Sequence, residues 1–122
     1  MRTLYTLFAL ISLVLVALVA TAAPPTPTFN VNCSTVVSPG VCSGGVSFSG
    51  GGLNPHKDYE VVATFLEDPT QDFTDTVTVN PDRTYTAPGE VFVSPGHWTF
   101  TLVQVGNNGS VNDLLVEMVL FE

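Results

Sequence analysis

The chain has 122 residues, 45% of them hydrophobic, and its eleven acidic residues outweigh three Lys and Arg to give a formal net charge of −8. Proteins bind nucleic acid and anionic lipid chiefly through Lys and Arg, so this charge excludes both from the partners we expect. About 100 residues remain once the apolar N-terminal segment is set aside, which is the size of one domain with one core.

The N-terminal segment predicts a secretory signal peptide at residues 1–22. Arg2 is its only charged residue, an apolar run extends from Leu7 to Ala20, and Ala20-Thr21-Ala22 fits a small-residue cleavage site. We therefore expect the mature chain to begin near Ala23.

The predicted leader sets the compartment. Cleavage leaves residues 23–27 as a short Pro-rich spacer and residues 28–122 as a secreted, extracellular domain that does not insert into a membrane. The alternative is an uncleaved anchor, because the segment from Leu4 to Ala23 is long enough to cross a bilayer. That anchor would hold the domain at the cell surface.

Cys33 and Cys42 are the only cysteines, and an oxidising compartment allows a disulfide to form and persist. Between them, Ser38-Pro39-Gly40-Val41 suits a tight turn, so the two residues can face each other across a short hairpin. A redox pair would normally show the closer C-x-x-C spacing. We therefore predict a structural disulfide between Cys33 and Cys42.

The rest of the chain alternates apolar and polar residues with a period of two, and no helical stripe interrupts this pattern. In HWTFTLVQV, for example, Trp98, Phe100 and Leu102 form one face, which belongs in the core. Pro-Gly turns and an Asn-Gly pair separate the segments. The predicted strands are residues 27–32, 41–48, 58–66, 73–80, 83–87, 90–93, 97–105 and 111–121.

Short strands at this spacing predict an all-β domain, as an antiparallel sandwich of two sheets or, as the alternative, a barrel. The segments VSFSGGGLNPHKDYEVVATF, TVTVNPDRTYTAPG and VSPGHWTFTLVQV combine a Gly-rich turn before a strand, a polar turn before an aromatic strand and a late Gly-Trp turn. This order resembles secreted immunoglobulin-like or fibronectin type III-like modules. The resemblance implies a single immunoglobulin-like sandwich that spaces, binds or adheres.

No catalytic constellation is recognisable. The two histidines, His56 and His97, both lie beside turn signals, and no motif of a nucleophile elbow, a metalloprotease or a phosphate-binding loop occurs. The stretch GGGLNPHKD at residues 50–58 is read as a turn whose last three residues are solvated, with a ligand-binding loop tip as the alternative. We expect a protein that is not an enzyme.

An acidic loop provides the one candidate metal site. Calcium prefers clustered carboxylate and carbonyl oxygens, and EDPTQDFTD supplies Glu67, Asp68, Asp72 and Asp75. The alternative is a solvated acidic loop. No cofactor other than calcium is expected.

The last strand carries apolar residues on both faces, which predicts either burial or an interface. The predicted interface residues are Leu115, Val119 and Phe121, which share one face of the strand with Asp113 and Glu117. Homo-oligomerisation through this strand remains open.

The sequence contains two further surface features, which are glycosylation acceptor patterns and rows of threonine. Asn32 and Asn108 begin N-x-S acceptor patterns, which are glycosylation sites if the source is a eukaryote. Threonines also recur at two-residue spacing, either as ordinary solvent-facing strand residues or as rows that bind an ordered surface such as a polysaccharide. These threonines are Thr74, Thr76, Thr78, Thr84, Thr86, Thr99 and Thr101.

The sequence therefore predicts a small non-catalytic binding or adhesion module that contacts a protein or glycan ligand outside the cell. The alternative function is a calcium-dependent binding module that uses the acidic loop at residues 67–75.

Overall fold

The computed structural model describes residues 25–87 and 89–122, so the predicted signal peptide and its cleavage site lie outside the described residues. The all-β class is confirmed, and the described helical structure is one 3₁₀ turn at Pro69–Gln71. The strands are β1 (Asn30–Ser38), β2 (Val41–Gly50), β3 (Asp58–Phe65), β4 (Phe73–Val79), β5 (Tyr85–Thr86), β6 (Val91–Phe92), β7 (Gly96–Val105) and β8 (Val111–Phe121).

Alternating side chains build the core from the central strands. On β7, Trp98, Phe100 and Leu102 are buried, as the period of two predicts. Phe100 packs between Phe48 of β2 and Phe121 of β8, with ring centroids 5.1 and 6.2 Å away. These contacts join strands that are distant in sequence.

The strand order is not the one expected of two separate sheets. The neighbours run β1-β2-β5-β4-β3-β7-β8, and β2 also pairs with β8 in parallel, so six strands close into a barrel. The predicted sandwich is therefore not seen as two independent layers. The barrel, which was the alternative from the sequence, describes the pairing better.

The β3–β4 connection explains how one side of the barrel closes. It is a short loop, and it makes β3 and β4 hairpin partners from Tyr59 and Val77 to Ala63 and Phe73. Inside the loop, the Asp72 carboxylate accepts a hydrogen bond from the Phe65 N–H at 2.7 Å. A short connection favours antiparallel pairing of the strands that it joins. In an immunoglobulin-like sandwich these two strands would belong to different sheets.

The first hairpin, β1–β2, contains the predicted disulfide, which is confirmed: the two sulfur atoms lie 2.02 Å apart. β1 begins and ends later than predicted, because it extends to the turn that reverses into β2. Along the β1–β2 ladder, a bulge lies between the pair that contains Cys33 and the pair that contains Cys42. Gly44 of β2 lies in this bulge with a φ of +83°, a conformation that favours glycine. The Gly45 N–H beside it donates to the Ser34 hydroxyl at 2.6 Å.

In residues 25–87 and 89–122, no helix has the length and apolar character that crossing a membrane requires.

A candidate binding face on strands β7 and β8

The outer surface of the β7–β8 pair brings together the residues that form the candidate site. Residues directly opposite each other in an antiparallel pair share one face of the sheet. Thr99 lies opposite Met118, and His97 lies opposite Leu120. These four side chains therefore face away from the core that Trp98 and Phe100 occupy on the other side.

This face is unusually apolar for an exposed surface. The Met118 side chain is 77% exposed, and Leu66, which follows β3, is 75% exposed. Between them lies a groove of about 470 Å³. Its lining residues are Leu66, His97, Trp98, Thr99, Met118, Val119 and Leu120.

An acidic residue holds one rim of the groove in place. Both carboxylate oxygens of Glu67 accept hydrogen bonds from the His97 N–H, at 3.0 and 2.9 Å, and the carboxylate also contacts His97 Nδ1. The side-chain hydrogen bond with His97 lowers the pKa of Glu67 below its ordinary value. The loop that carries Leu66 is thereby fixed to the start of β7.

Gly96 makes this close approach of loop and strand feasible. Its φ is +143°, and a Cβ atom at this position would lie 2.5 Å from the Phe65 ring. The backbone of β7 consequently begins directly against Phe65, which stacks on Trp98 with centroids 4.6 Å apart.

One edge of β8 is largely free of strand partners in the described residues. β8 pairs with β7 along its length, whereas its contact with β2 is limited to Leu120 and Phe121. The Leu120 N–H donates to the Gly40 carbonyl at 3.0 Å, just where the chain turns into β2. Residues 111–119 therefore present backbone groups beside the groove.

The predicted interface residues lie on the opposite face of β8. Phe121 is buried, and Leu115 and Val119 are half-buried and pack against the core. The pairing with β7 shifts by one residue between Leu102 and Val103, because Leu114 is an extra residue of β8 with no partner on β7. The exposed apolar residues of the strand's outer face are Val116 and Met118.

Three of the four carboxylates of the predicted calcium site, those of Glu67, Asp68 and Asp72, are each engaged with a different partner. Asp68 accepts hydrogen bonds from the Thr70 hydroxyl at 2.7 Å and from its N–H at 3.2 Å, and the side-chain bond from Thr70 lowers the pKa of Asp68. Glu67 contacts His97, and Asp72 caps the Phe65 N–H. In the described parts of the chain, no three His, Cys, Asp or Glu side chains converge as a metal site.

Asp75, the fourth carboxylate, points from β4 with the same parity as Phe73 and Val77. Its Oδ2 atom is buried and has no hydrogen-bond partner within the described structure. Burial raises the pKa of Asp75 above its ordinary value.

The Gly-rich stretch before β3 is a turn, as predicted. The Asn54 side chain accepts from the His56 N–H at 2.9 Å, and the Lys57 N–H donates to the Asn54 carbonyl at 3.1 Å. His56, Lys57 and Asp58 line a small polar pocket of about 180 Å³ at the opposite end of β7 from the groove. The two histidines are therefore not neighbours.

The threonine rows are interrupted by β3. Thr74 and Thr101 do not adjoin, because Val62 of β3 pairs with both of them. Glu60 lies opposite Thr76 in the same way. The outer surface of these strands is therefore mixed in chemistry.

Both glycosylation candidates are exposed. Asn108 lies in the turn between β7 and β8, where its side chain accepts from the Ser110 N–H at 3.1 Å. Asn32 lies on β1, and its amide donates to the Ser49 hydroxyl at 2.9 Å.

Comparisons with protein-family models, with curated proteins and with solved structures give no match to this chain.

Proposed function

We propose that the protein is a small extracellular, non-catalytic module that binds a partner protein through the outer face of β7 and β8. The observation that carries this proposal is the groove between Leu66 and Met118, two apolar side chains that are each about three-quarters exposed. Contiguous exposed apolar surface typically marks an interaction site. The free edge of β8 beside the groove adds backbone groups that an extended segment can pair with.

The chemistry of the groove favours a protein partner over a glycan. Sugar binding sites commonly offer an exposed aromatic face together with several hydrogen-bonding groups, but Trp98 is only 2% exposed. His97 and Thr99 are the polar residues in a lining that is otherwise apolar. An apolar side chain of a partner fits this surface better than a hydroxylated ring.

The net charge of the protein narrows the class of partner further. Beyond the predicted leader, two positive residues stand against eleven negative ones, which gives a net charge of −9. A partner segment that combines apolar residues with Lys or Arg would be attracted to this field and would associate faster at low salt. We therefore propose an extended, cationic and apolar segment as the ligand.

The immunoglobulin-like architecture remains part of the proposal, and the order of neighbouring strands supports it. Lettered along the chain without β6, the neighbours β1-β2-β5-β4 follow the order A-B-E-D, and β3-β7-β8 follow C-F-G. These are the two sheets of a constant-type immunoglobulin domain. The β3–β4 pairing would then be an addition that joins the two sheets at one side.

Extracellular location rests on the predicted leader and agrees with the disulfide. The intact mass of the protein from the culture medium and from washed cells tests it. A mass that begins near Ala23, found in the medium, supports the proposal, whereas an uncleaved mass in the cell fraction supports the surface-anchored alternative. Added hexose masses would show that the acceptor sites are used.

The binding proposal is tested with a peptide of alternating Val and Lys, titrated into isotopically labelled protein and followed by amide chemical shifts. We expect shifts concentrated at Leu66 and along β8, and an affinity that falls at least about tenfold in Met118→Glu, since this change removes an apolar contact. The control variant is Phe92→Glu, which adds the same charge at an equally exposed apolar position on β6, away from β8.

A matched peptide of alternating Val and Glu separates charge from shape. It should bind far more weakly, because the acidic domain repels it. Shifts that spread over the whole surface, or equal affinity for the two protein variants, would contradict the proposed site.

A further inference from the structure

Charge is divided sharply along this chain. Residues 25–56 contain no Asp, Glu, Lys or Arg, whereas residues 57–122 contain all eleven acids together with Lys57 and Arg83. The first of these segments forms the β1–β2 hairpin and the turn that follows it. The hairpin is therefore the uncharged part of an otherwise acidic domain.

β1 ends this sheet with a free edge. It pairs with β2 from Asn30 and Ser49 to Ser38 and Val41, and among the described residues no strand pairs with its other side. Val36 and Val37 on this strand are 68% and 51% exposed. Free strand edges in soluble proteins are usually protected by charged residues, proline or β-bulges. β1 contains no charged residue and no proline, and its pairing with β2 is irregular at Cys33–Thr35 and at Val36–Ser38.

The hairpin is also held in shape before any partner arrives. The disulfide between Cys33 and Cys42 spans its two strands, and the Ser34 hydroxyl is fixed by the Gly45 N–H inside the bulge. Pre-ordering reduces the conformational entropy that is lost when an edge pairs with another strand.

We propose that two copies of this chain associate through their β1 edges, as an antiparallel pair about a twofold axis. Two acidic domains repel each other over most of their surfaces, whereas the β1–β2 hairpin itself carries no charge. The carboxylates nearest to it belong to Glu90, which lies against Gly45, and Glu122, whose N–H donates to the Cys42 carbonyl; both adjoin β2 where it pairs with β6 and β8, and not the free edge of β1. A twofold axis brings Val36 and Val37 of one copy to the same residues of the other, so the surface is complementary to itself. The inference does not depend on the proposed ligand of β8.

Salt gives this association a distinctive signature. Each copy carries a net charge of −9 beyond the leader, so the remaining repulsion between the copies weakens as salt shortens the screening length. That length falls from about 10 Å at about 0.1 M to about 3 Å at about 1 M. The dimer therefore strengthens with salt, whereas binding of a cationic segment weakens.

Sedimentation velocity of the purified protein, at several concentrations and at both salt levels, tests the proposal. One strand edge buries less surface than the roughly 1,200 Å² of a stable interface, so we expect a weak dimer. Its dissociation constant should lie between about 1 µM and about 1 mM. The dimer fraction should rise with salt.

The double variant Val36→Glu, Val37→Glu should associate at least about tenfold more weakly than the unmodified protein, with an unchanged circular dichroism spectrum, because both side chains are exposed. The control Val111→Glu, Val116→Glu adds the same two charges to β8 and should dimerise like the unmodified protein. If the β1 double variant does not fold, the single variant Val37→Glu takes its place.

Three results would overturn the proposal. One is a protein that stays monomeric up to about 1 mM at both salt levels. Another is a β1 variant that dimerises as well as the unmodified protein. The third is loss of the dimer in the β8 control alone, which would place the contact between copies on β8.

Discussion

Asp75 offers the sharpest test of the core, because its position on β4 disfavours the charged form of its carboxylate. It lies on β4 opposite Val61, which is fully buried, and its Oδ2 atom is buried without a hydrogen-bond partner in the described structure. Burial raises the pKa of Asp75, so the folded state prefers the neutral acid. We predict that Asp75→Asn stabilises the protein at neutral pH.

The size of the effect follows from the unpartnered oxygen. Asparagine leaves a polar atom without a partner at this position but removes the buried charge. An unsatisfied buried group costs about 1–3 kcal/mol, and more if it is charged, so for a half-buried residue we expect the substitution to recover about 1 kcal/mol. For a domain of this size, that free energy corresponds to a rise in melting temperature of about 4–8 °C.

The pH dependence identifies the cause. A raised pKa means that the folded state binds the proton more tightly than the unfolded state, so the stability due to this group is greatest below the unfolded pKa of about 3.9. It declines as pH rises through the raised pKa of the folded state. The advantage of Asp75→Asn should therefore be present at pH 7 and vanish near pH 3.

Thermal unfolding by circular dichroism across this pH range measures the difference, with Asp113→Asn as the control because Asp113 is exposed on β8. An advantage that does not change with pH would refute the electrostatic explanation. A variant less stable than the unmodified protein at pH 7 would show that the carboxylate has a favourable partner in solution.

Two further predictions concern stability and metal binding. Replacing both Cys33 and Cys42 by Ala should lower the free energy of unfolding by at most about 3 kcal/mol, because the ring that the disulfide closes is short. Denaturant unfolding of the oxidised protein and of the variant measures this difference. An unchanged midpoint would mean that the hairpin is already ordered in the unfolded ensemble. If the acidic loop binds calcium, about 1 mM calcium should raise the melting temperature above that in chelator, and Asp68→Asn should remove the rise; equal melting temperatures would exclude the calcium-dependent module.

The strands themselves could be predicted, because each carries a clear alternation bounded by Pro-Gly, Asn-Pro or Asn-Gly turns. Most of the boundaries on β2 to β8 agree with prediction to within about two residues, in line with how sharply turn residues define strand ends. The structure places β1 later than the sequence predicts, because its exposed second half, including Val36 and Val37, lacks the buried face that marks a strand.

The barrel closure was harder to predict. It depends on pairings of β2 with β8 and of β3 with β4, and alternation says which face of a strand is buried but does not name its neighbour. The short loop with its Asp72 cap was the available signal for the β3–β4 hairpin.

The orientation of β8 was missed for a related reason. Counting back from the Asn-Gly turn pairs Val105 with Val111, but the irregularity at Leu102 and Val103 shifts the later pairs by one residue. A one-residue shift exchanges the faces of a strand, so Leu115 and Val119 face the core while Val116 and Met118 face solvent. Two adjacent leucines, Leu114 and Leu115, were the trace of this bulge in the sequence.

The two proposed surfaces differ in charge, so we expect contacts at each of them to respond to salt in opposite directions. The β8 groove lies in the charged part of the chain, with Glu67 at its rim, so a cationic ligand gains from the field and loses affinity as salt rises. The β1 edge lies in the uncharged part, so contact between copies gains when salt screens the rest of the domain. Because the two responses have opposite signs, titrating salt in the presence of the Val-Lys peptide should move the protein from ligand-bound monomer towards free dimer, and the charge division along the sequence would be the cause.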